Sequence, residues 1–402
     1  MSKLKISKGG LRDVIELPAS KSYANRALVL AAIKRSPTTL KNLPSSSDVT
    51  QLVEGLRQVG LRIEVQGPEA RIEASFPDCE TNGRRILVGE GGTTARFLAS
   101  LLLRGRQSYT LALGERLAQR PWSEFVTQVR SLGGEIDLRG NELTLRGPLL
   151  LSGKIEVDCG RTTQFASGLQ MAFSDQPVEI IPVNMSSSQS YWRMTEDLIQ
   201  RIRVSSEYTI PLDWSSASYP LAFGALNQEI SFPGLHFDEY QADAKFLGIL
   251  EFLGAIDDSR GGIRVRPLTS PRDVLVDVTD CLDLVPTLGY FLSHVPGKHV
   301  LRGVGNLAHK ESDRLGEVVK LVRAFGRACE VSGTELTIFG SREVSKEKPD
   351  LTLPDDHRMV MAASLFLLHH NGGTVSPAEA VGKSYSDFFD ILRAERSEKI
   401  TR

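Results

Sequence analysis

The stretch Ile86–Leu103, ILVGEGGTTARFLASLLL, decides the fold. Aliphatic residues at its start predict a short strand, and the glycines that follow predict a tight turn. From Gly92 onward nearly every position is small or apolar, which predicts a helix buried on all sides rather than one that covers a sheet. The turn carries more polar side chains than a helix cap needs, and we call such a polar turn a tip.

The same arrangement occurs six times in the chain, the other five instances being Val14–Ile33, Ile155–Phe173, Tyr208–Leu226, Val274–Leu292 and Leu351–Leu368. Amphipathic helices that run into a glycine and a hairpin lie between them, as in Ser47–Val65, Ser123–Gly147 and Asp313–Gly340. The sequence therefore predicts an α/β protein (α+β by some schemes) of repeated strand–helix units in two similar lobes, three to each. Capping alone explains one tip, whereas six tips with surplus polar groups predict a common site.

Composition narrows the class of protein. A chain of 402 residues is long enough for two domains, and 41% hydrophobic and 24% charged residues are ordinary for a globular protein. A formal net charge of -1 argues against a nucleic-acid binder. The four cysteines lack the spacing of a zinc site or a disulfide framework, and the histidines lack metal-ligand spacing. No signal peptide or membrane-spanning run is visible, so we expect a cytoplasmic protein that does not contact membranes.

Several tips carry residues suited to anion binding or proton transfer. Lys21, Ser22 and Arg26 at a helix start form a candidate anion site. Gly89–Arg96 resembles a phosphate loop without the ending of a nucleotide P-loop. We expect Arg120-Pro121 to open a helix, with proline at the first helical position. Asp283 stands alone in an apolar stretch, where a helix cap is the commoner role if it is judged alone.

The order of these elements from Lys21 to Phe389 resembles the enolpyruvyl transferase family, and the resemblance covers nearly the whole chain. The matching segments are PASKSYANRALVLAA, GGTTARFLAS, QRPWSEFV, TTQFASGLQMA, SSASYPLAFGAL, NLAHKESDR, DDHRMVMAASL and GKSYSDFF. The resemblance implies an inside-out α/β barrel fold with three βαβαββ units in each lobe. One lobe would comprise residues 20–212, with shikimate-phosphate contacts. The other would comprise residues 1–19 and 213–402, with acid/base and phosphoenolpyruvate contacts.

The resemblance also implies a reaction. An enolpyruvyl group would pass from phosphoenolpyruvate to the 5-hydroxyl of shikimate 3-phosphate with release of phosphate, in aromatic amino-acid biosynthesis. The protein would work without cofactor or metal, as a monomer, with these two small molecules as its partners. The two lobes would close around them and exclude water.

Residue roles follow at matching positions. The implied catalytic residues are Lys21, Asp283, Glu311 and His357. The implied substrate-binding residues are Ser22, Arg26, Gly92, Arg120, Thr162, Thr163, Gln164, Ser188, Tyr191, Asn306, Lys310, Arg314, Arg358 and Lys383. Two phosphates and two carboxylates bring about five to six negative charges near neutral pH. Seven lysines and arginines of this set could neutralise them, with arginine suited to bidentate contacts.

The chain departs from the family at a few positions. Glu90 stands where an asparagine is usual, and its carboxylate would repel phosphoenolpyruvate unless it is paired or turned away. Gly91 replaces a usual alanine and Gln51 a common arginine. The segment Arg193–Asp213 is shorter than the family pattern by about 20 residues, roughly a hairpin. Gly92 would leave room for phosphoenolpyruvate and for the inhibitor glyphosate.

Two other functions stay open. A related enolpyruvyl transferase would act on another phosphorylated cyclic alcohol. The relative that uses UDP-N-acetylglucosamine carries a cysteine shortly before the Arg-Pro pair, and Gly114–Gln119 here has none. A non-catalytic anion-binding relative is the second alternative, although it would not need both Asp283 and Glu311.

Overall fold

The computed structural model describes residues 2–259 and 261–393. The chain forms two compact units. We call Ala19–Pro211 the middle unit, and Met1–Pro18 together with Leu212–Arg402 the split unit. Within the described residues, no helix combines the length and the apolar character that crossing a membrane requires.

The chain opens in the split unit with strands β1 (Leu4–Ile6) and β2 (Gly10–Leu11). The middle unit then contains, in order, α1 (Lys21–Ile33), β3 (Thr38–Lys41), α2 (Ser47–Gln58), β4 (Ile63–Gln66), β5 (Glu69–Ile72), β6 (Arg85–Gly89), α3 (Gly92–Leu102), β7 (Ser108–Leu113), α4 (Glu115–Gln119), α5 (Ser123–Ser131), β8 (Glu135–Arg139), β9 (Glu142–Arg146), β10 (Gly153–Asp158), α6 (Gln164–Ala172), β11 (Val178–Val183), α7 (Gln189–Val204) and β12 (Glu207–Thr209).

The strands of the middle unit form three sheets. Two have four strands, in the orders β12-β3-β5-β4 and β6-β7-β9-β8, and each contains an antiparallel hairpin. The third consists of the parallel pair β10-β11 alone. This third sheet has no hairpin, and the shortening of Arg193–Asp213 relative to the family pattern stays a prediction.

The helices that follow the tips form the core of the middle unit. α1, α3 and α6 pack against one another, and almost all their residues are buried. α2, α5 and α7 bury one face each and expose charged residues on the other. The prediction that the tip helices are buried on all sides is confirmed, because the two kinds of helix differ as the apolar pattern indicated.

The rest of the split unit contains α8 (Trp214–Asn227), β13 (Ile230–Pro233), α9 (Lys245–Phe252), β14 (Ile256–Ser259), β15 (Gly262–Val265), β16 (Leu275–Asp277), α10 (Val285–His294), β17 (Gly297–Arg302), α11 (Arg314–Ala324), β18 (Ala328–Ser332), β19 (Glu335–Gly340), β20 (Asp350–Thr352), α12 (His357–His369), β21 (Gly373–Ser376) and β22 (Leu392–Arg393). Its sheets have the orders β13-β15-β14, β16-β17-β19-β18, β1-β21-β20 and β2-β22. The buried helices α8, α10 and α12 pack together at its centre.

Two tips differ from the simple strand-and-helix pattern. Val14, ahead of α1, makes a parallel bridge to Ser231 in β13 and so belongs to a sheet of the split unit. β12, ahead of α8, pairs in parallel with β3 in the middle unit. Val14 and β12 therefore each pair within the unit that the chain is leaving, while the helix that follows lies in the unit that the chain enters.

Candidate active site

In the first tip of the middle unit, Lys21 forms an ion pair with a carboxylate. Lys21 Nζ lies 2.9 Å from Asp48 Oδ2, and both side chains are largely buried. Asp48 lies in the first turn of α2, and its carbonyl accepts a hydrogen bond of 2.9 Å from the hydroxyl of Thr94 in α3. Sequence reasoning missed Asp48 as a partner of Lys21, because nothing local distinguishes it from an ordinary acidic residue in a first helical turn.

Arg26 is buried one turn further along α1. Its guanidinium donates to the hydroxyl of Thr195 at 2.9 Å and to the carbonyls of Ser22 and Tyr191 at 3.0 and 3.2 Å. It also lies 5.1 and 5.6 Å from the rings of Phe97 and Tyr191. Burial lowers the pKa of Arg26 to about 10. The structure thus brings together three predicted site residues, Ser22, Arg26 and Tyr191.

Gln164 is held between the second and third tips. Its amide oxygen accepts from Nη1 of Arg96, and its amide nitrogen donates to Thr93 Oγ1 at 3.0 Å. Its backbone N–H donates to Thr162 Oγ1 at 3.2 Å, and Thr163 is the residue that precedes α6. The predicted residues Thr162, Thr163 and Gln164 therefore form one hydrogen-bonded start to α6.

Arg96 is a second residue that sequence reasoning left out of the site. It is 1% exposed and lies 4.8 Å from the ring of Phe165 and 5.4 Å from that of Trp122. Burial first, and then the charge of Arg120, lower the pKa of Arg96 well below its usual value. Its position in the second tip was the available signal, because an arginine on a helix that is otherwise apolar needs an explanation.

Arg120 lies at the N-terminus of α3. A Cβ added to Gly92 would sit 2.5 Å from Arg120 Nη1, so the guanidinium occupies the space that the missing side chain leaves. The prediction for Pro121 is wrong. α5 begins at Ser123, with Trp122 ahead of it, because the indole of Trp122 donates to the carbonyl of Leu117 at 3.0 Å and ties this segment back to α4.

Glu90 is turned away from the start of α3. Its carboxylate accepts hydrogen bonds from the backbone N–H groups of Leu117 at 2.8 Å and Arg116 at 3.3 Å. The carboxylate is therefore paired, the first of the two alternatives stated for this residue, and its partners are backbone N–H groups in the first turn of α4.

Ser188 stands immediately before α7 with φ 64°, in the left-handed region that residues with a side chain rarely adopt. Strained backbone of this kind persists where the surroundings fix it and is frequent at functional sites. The strain agrees with the site role predicted for Ser188 but does not test it.

Asp283 is the centre of the charged network in the split unit. Its carboxylate lies 2.6 Å from Arg314 Nη1, 3.1 Å from Arg358 Nη2 and 3.5 Å from Lys310 Nζ. Burial alone would raise its pKa, but Arg358, Lys310 and Arg314 outweigh burial and hold the pKa of Asp283 well below its usual value. The helix-cap role is wrong, because Leu284 precedes α10 and Asp283 lies in a 3-10 turn.

Arg314 joins this carboxylate to a second one. Its Nε and Nη2 donate to the two oxygens of Asp356 at 2.8 and 3.3 Å. Asp356 also caps α12 through the N–H of Arg358 at 3.1 Å and accepts from Ser312 Oγ at 2.8 Å. Burial would lower the pKa of Arg314, but the three carboxylates of Asp356, Asp283 and Glu311 raise it above its usual value.

Glu311 and His357 form the adjoining pair. His357 Nδ1 lies 3.0 Å from Glu311 Oε2, and the imidazole is buried while the carboxylate is partly exposed. One oxygen or nitrogen each of Glu311, Asp356 and His357 lies within 4.8 Å of the others. The oxygens of Asp356 already accept from Arg314, Ser312 and the Arg358 N–H, and the nearby guanidinium would repel a cation. We therefore assign no metal to this group.

Two further predicted residues flank the network. Asn306 lies in the 3-10 turn Val304–His309, ahead of Lys310. Lys383 ends the 3-10 turn Ala378–Lys383 and donates to the carbonyl of Asp355 at 2.6 Å, beside its carboxylate at 2.8 Å. Asp355 directly precedes Asp356, so Lys383 approaches the tip that starts α12.

Sequence reasoning also missed Asp243 and Ser215. Asp243 is 1% exposed in the 3-10 turn Ala242–Ala244, and burial followed by the charge of Asp283 raises its pKa to about 7. Ser215 is the second residue of α8, its backbone N–H donates to the cap Asp213, and its hydroxyl accepts from Arg358 Nη1. The surplus hydroxyls of the fourth tip were a signal for Ser215, whereas Asp243 stands in a polar stretch that gives none.

Two units with buried central helices, and tips that carry cations and carboxylates, agree with the resemblance to the enolpyruvyl transferases. A family model described as EPSP synthase (3-phosphoshikimate 1-carboxyvinyltransferase) matches residues 7–205 and 202–392, and the chain belongs to this family.

The relatives agree with this assignment. A protein of Thermococcus kodakarensis named 3-phosphoshikimate 1-carboxyvinyltransferase is 30% identical over 402 residues, which cover 95% of this chain and 97% of that protein. A protein of the same name from Syntrophobacter fumaroxidans is 29% identical over 96% of this chain and 98% of its own.

Solved structures share the fold. An EPSP synthase of Acinetobacter baumannii matches with a TM-score of 0.79 at 19% identity, over 97% of each chain. The enolpyruvyl transferase NikO of Streptomyces tendae matches with a TM-score of 0.78 at 16% identity, over 100% of this chain and 99% of its own. At these identities the likeness establishes the fold alone.

Proposed function

We propose that the chain transfers the enolpyruvyl group of phosphoenolpyruvate to the 5-hydroxyl of shikimate 3-phosphate. The observation that carries this proposal is the match of the family model across both units, together with the network around Asp283. Carboxylates can transfer protons and cations can bind anions, so a site that holds both suits a reaction that needs both.

The reaction has two balanced steps. In the first, the 5-hydroxyl oxygen bonds to C2 of phosphoenolpyruvate, the hydroxyl proton passes to a base, and C3 gains a proton. In the second, the bond from C2 to the phosphate oxygen breaks, phosphate leaves with the electron pair, and C3 loses a proton. The double bond is restored and no redox partner is needed.

The residues divide between these tasks. Asp283 is ionised and would accept the hydrogen bond of the attacking hydroxyl, with Asn306 and Lys310 binding the other hydroxyls. Glu311 and His357 would hold the proton that C3 gains and loses. The carboxylates of Asp283 and Glu311 would also stabilise the positive charge that develops in the transition state.

The remaining predicted residues would bind the anions. The middle unit would hold the shikimate phosphate and ring through Thr162, Thr163, Gln164, Ser188 and Tyr191, with Lys21, Ser22 and Arg26 touching both substrates. Phosphoenolpyruvate would be bound by Gly92, Arg120, Arg314, Arg358 and Lys383. We also propose that the protein is a cytoplasmic monomer that works without nucleic acid, membrane or cofactor. Size-exclusion chromatography would test the monomer, and activity in metal-free buffer would test the independence from metal.

The deciding experiment measures phosphate release by the purified full chain. We expect release from phosphoenolpyruvate only when shikimate 3-phosphate is present, and one enolpyruvyl product per phosphate. Release with another phosphorylated cyclic alcohol, and none with shikimate 3-phosphate, would favour a transferase with a different acceptor. No release with any acceptor, but saturable binding of phosphoenolpyruvate, would favour an anion-binding protein.

A further inference from the structure

The carboxylate of Glu90 is built into the start of α4. Its two oxygens accept the backbone N–H groups of Leu117 and Arg116 at 2.8 and 3.3 Å. The first N–H groups of a helix have no partner within the helix, so a carboxylate here satisfies two of them. Glu90 therefore links the tip between β6 and α3 to the first turn of α4.

Gly114 makes room for this contact. A Cβ added to Gly114 would lie 2.1 Å from Glu90 Oε1 and 2.2 Å from Glu90 Cδ, which no side chain could tolerate without displacing the carboxylate. The N–H of Gly114 also donates to the carbonyl of Gly89 at 2.7 Å. The two segments are thus joined by backbone and side chain at the same place.

Arg120 is at the other end of α4. Its N–H donates to the carbonyl of Leu117 at 3.2 Å, so Leu117 is held by Glu90 through its N–H and holds Arg120 through its carbonyl. α4 runs only from Glu115 to Gln119, and its two ends are therefore coupled. Arg120 Nη1 lies against Gly92, two residues after Glu90.

We propose that Glu90 is a positioning residue that holds Arg120 at the N-terminus of α3 by fixing α4. The proposal rests on the proposed function, in which Arg120 binds phosphoenolpyruvate. It explains how this chain carries a carboxylate where the family usually has asparagine. The charge of Glu90 is satisfied by backbone N–H groups instead of facing the anion.

The chain offers a matched control in Glu80. Its carboxylate accepts from the backbone N–H groups of Arg106 and Gln107 at 2.9 and 3.0 Å, and from the hydroxyl of Tyr109 at 3.0 Å. A Cβ on Gly105 would lie 2.1 Å from Glu80 Oε1, the same spacing as between Gly114 and Glu90. Glu80 therefore fixes a loop in the same way in the same unit, but with no predicted site residue at the end of it.

The experiment compares Glu90→Ala, Glu90→Gln, Glu80→Ala and Glu80→Gln in the full chain. We expect Glu90→Ala to raise the KM for phosphoenolpyruvate by about tenfold, as loss of one well-placed charged contact does, with kcat and the KM for shikimate 3-phosphate within about twofold. Glu90→Gln should restore part of the loss, because its amide oxygen still accepts one N–H. The Glu80 variants should lower the melting temperature but leave both KM values unchanged.

The proposal is overturned if Glu90→Ala leaves the KM for phosphoenolpyruvate unchanged, or if Glu80→Ala raises it equally. Should the parent chain release no phosphate, the proposed function fails and the same variants are titrated with inorganic phosphate by calorimetry. Weaker phosphate binding by Glu90→Ala than by Glu80→Ala would then still support a positioning role. Equal binding would reject it.

Discussion

Arg26 and Arg96 in the middle unit are held by neutral groups, whereas Arg314 and Arg358 in the split unit are held by carboxylates. Arg26 and Arg96 contact hydroxyl, carbonyl and amide oxygens and aromatic rings, and neither makes an ion pair within the described part of the chain. Arg314 lies against Asp356, Asp283 and Glu311. Burial accordingly lowers the pKa of Arg26 and Arg96, whereas the three neighbouring carboxylates raise the pKa of Arg314.

The difference indicates a division of labour. A buried cation without a carboxylate is costly until an anion arrives, so the middle unit is prepared to bind negative charge. A network balanced by carboxylates attracts an anion less than buried cations without a carboxylate do, so Arg314, Arg358 and Lys383 would bind phosphoenolpyruvate through directed contacts. The same network fixes its carboxylates in defined positions, as proton transfer requires. The predictions below test this contrast, beginning with the largest effect.

Removing a carboxylate of the split unit should abolish most of the activity. We expect Glu311→Gln and Asp283→Asn each to lower kcat by about 10²–10⁴-fold, the range of positioned acid/base groups. Glu311→Gln should leave the melting temperature near that of the parent, because Glu311 is partly exposed. Asp283→Asn should also lower the melting temperature, since three cations lose one carboxylate partner. Near-parental turnover in either variant would remove the role assigned to that residue.

Removing an arginine should cost stability mainly in the split unit. Arg314→Met removes the cation that pairs with the buried carboxylate of Asp356 and one of the three cations around Asp283, and we expect a loss of about 3–5 kcal/mol in the free energy of unfolding. Arg26→Met removes a desolvated cation and a few hydrogen bonds to neutral groups, so the loss should be about 1–2 kcal/mol. Urea titrations of both variants give the comparison. A larger loss for Arg26→Met would reverse the contrast between the units.

Asp243 should make stability depend on pH in an unusual direction. Its folded pKa of about 7 lies above the ordinary value of 3.8, so the folded state holds the proton more tightly than the unfolded chain. The contribution is therefore fully present below the ordinary value and is lost as pH rises through about 7. The charged or titratable groups of Asp213, Asp283, Arg358 and Cys281 also face this carboxyl group.

The test follows unfolding between pH 6 and pH 8. The parent should lose about 1.4 kcal/mol in total across this range from this proton, with most of the loss below pH 7. Asp243→Asn, which stays neutral, should flatten the profile. If the variant and the parent lose stability in parallel, Asp243 is already ionised at pH 6.

Sequence reasoning found the tips because their signals are local. A strand, a glycine or serine turn and an apolar helix stand together in the chain, and buried helices show an unbroken apolar pattern. Asp243 and Asp48 carried no such signal, since their burial comes from elements distant in sequence. Pro121 was placed wrongly at a helix start because a local rule for proline competed with the tie between Trp122 and Leu117, which only the folded chain reveals.

The smallest predicted effect is that of Gly92→Ala in the middle unit. The new Cβ would meet Arg120 Nη1 at 2.5 Å and Cζ at 3.1 Å, so the guanidinium must move. It belongs to a flexible side chain, and the helix need not be disturbed, so we expect a cost of about 1–2 kcal/mol in phosphoenolpyruvate binding. The KM for phosphoenolpyruvate should rise by about 5- to 30-fold, and the melting temperature should stay near that of the parent. Gly248→Ala in α9 is the control, since a Cβ there meets no atom within 4 Å.

Glyphosate sharpens this last test. The family resemblance implies that it occupies the same anionic site and is the longer occupant, so it should tolerate a displaced Arg120 less well than phosphoenolpyruvate does. We therefore expect Gly92→Ala to raise the inhibition constant of glyphosate more than the KM for phosphoenolpyruvate. If both constants match those of the parent and of Gly248→Ala, Gly92 does not line the site. Arg120 would then lie at the start of α3 only in the absence of substrate, and the middle unit would bind its anion elsewhere.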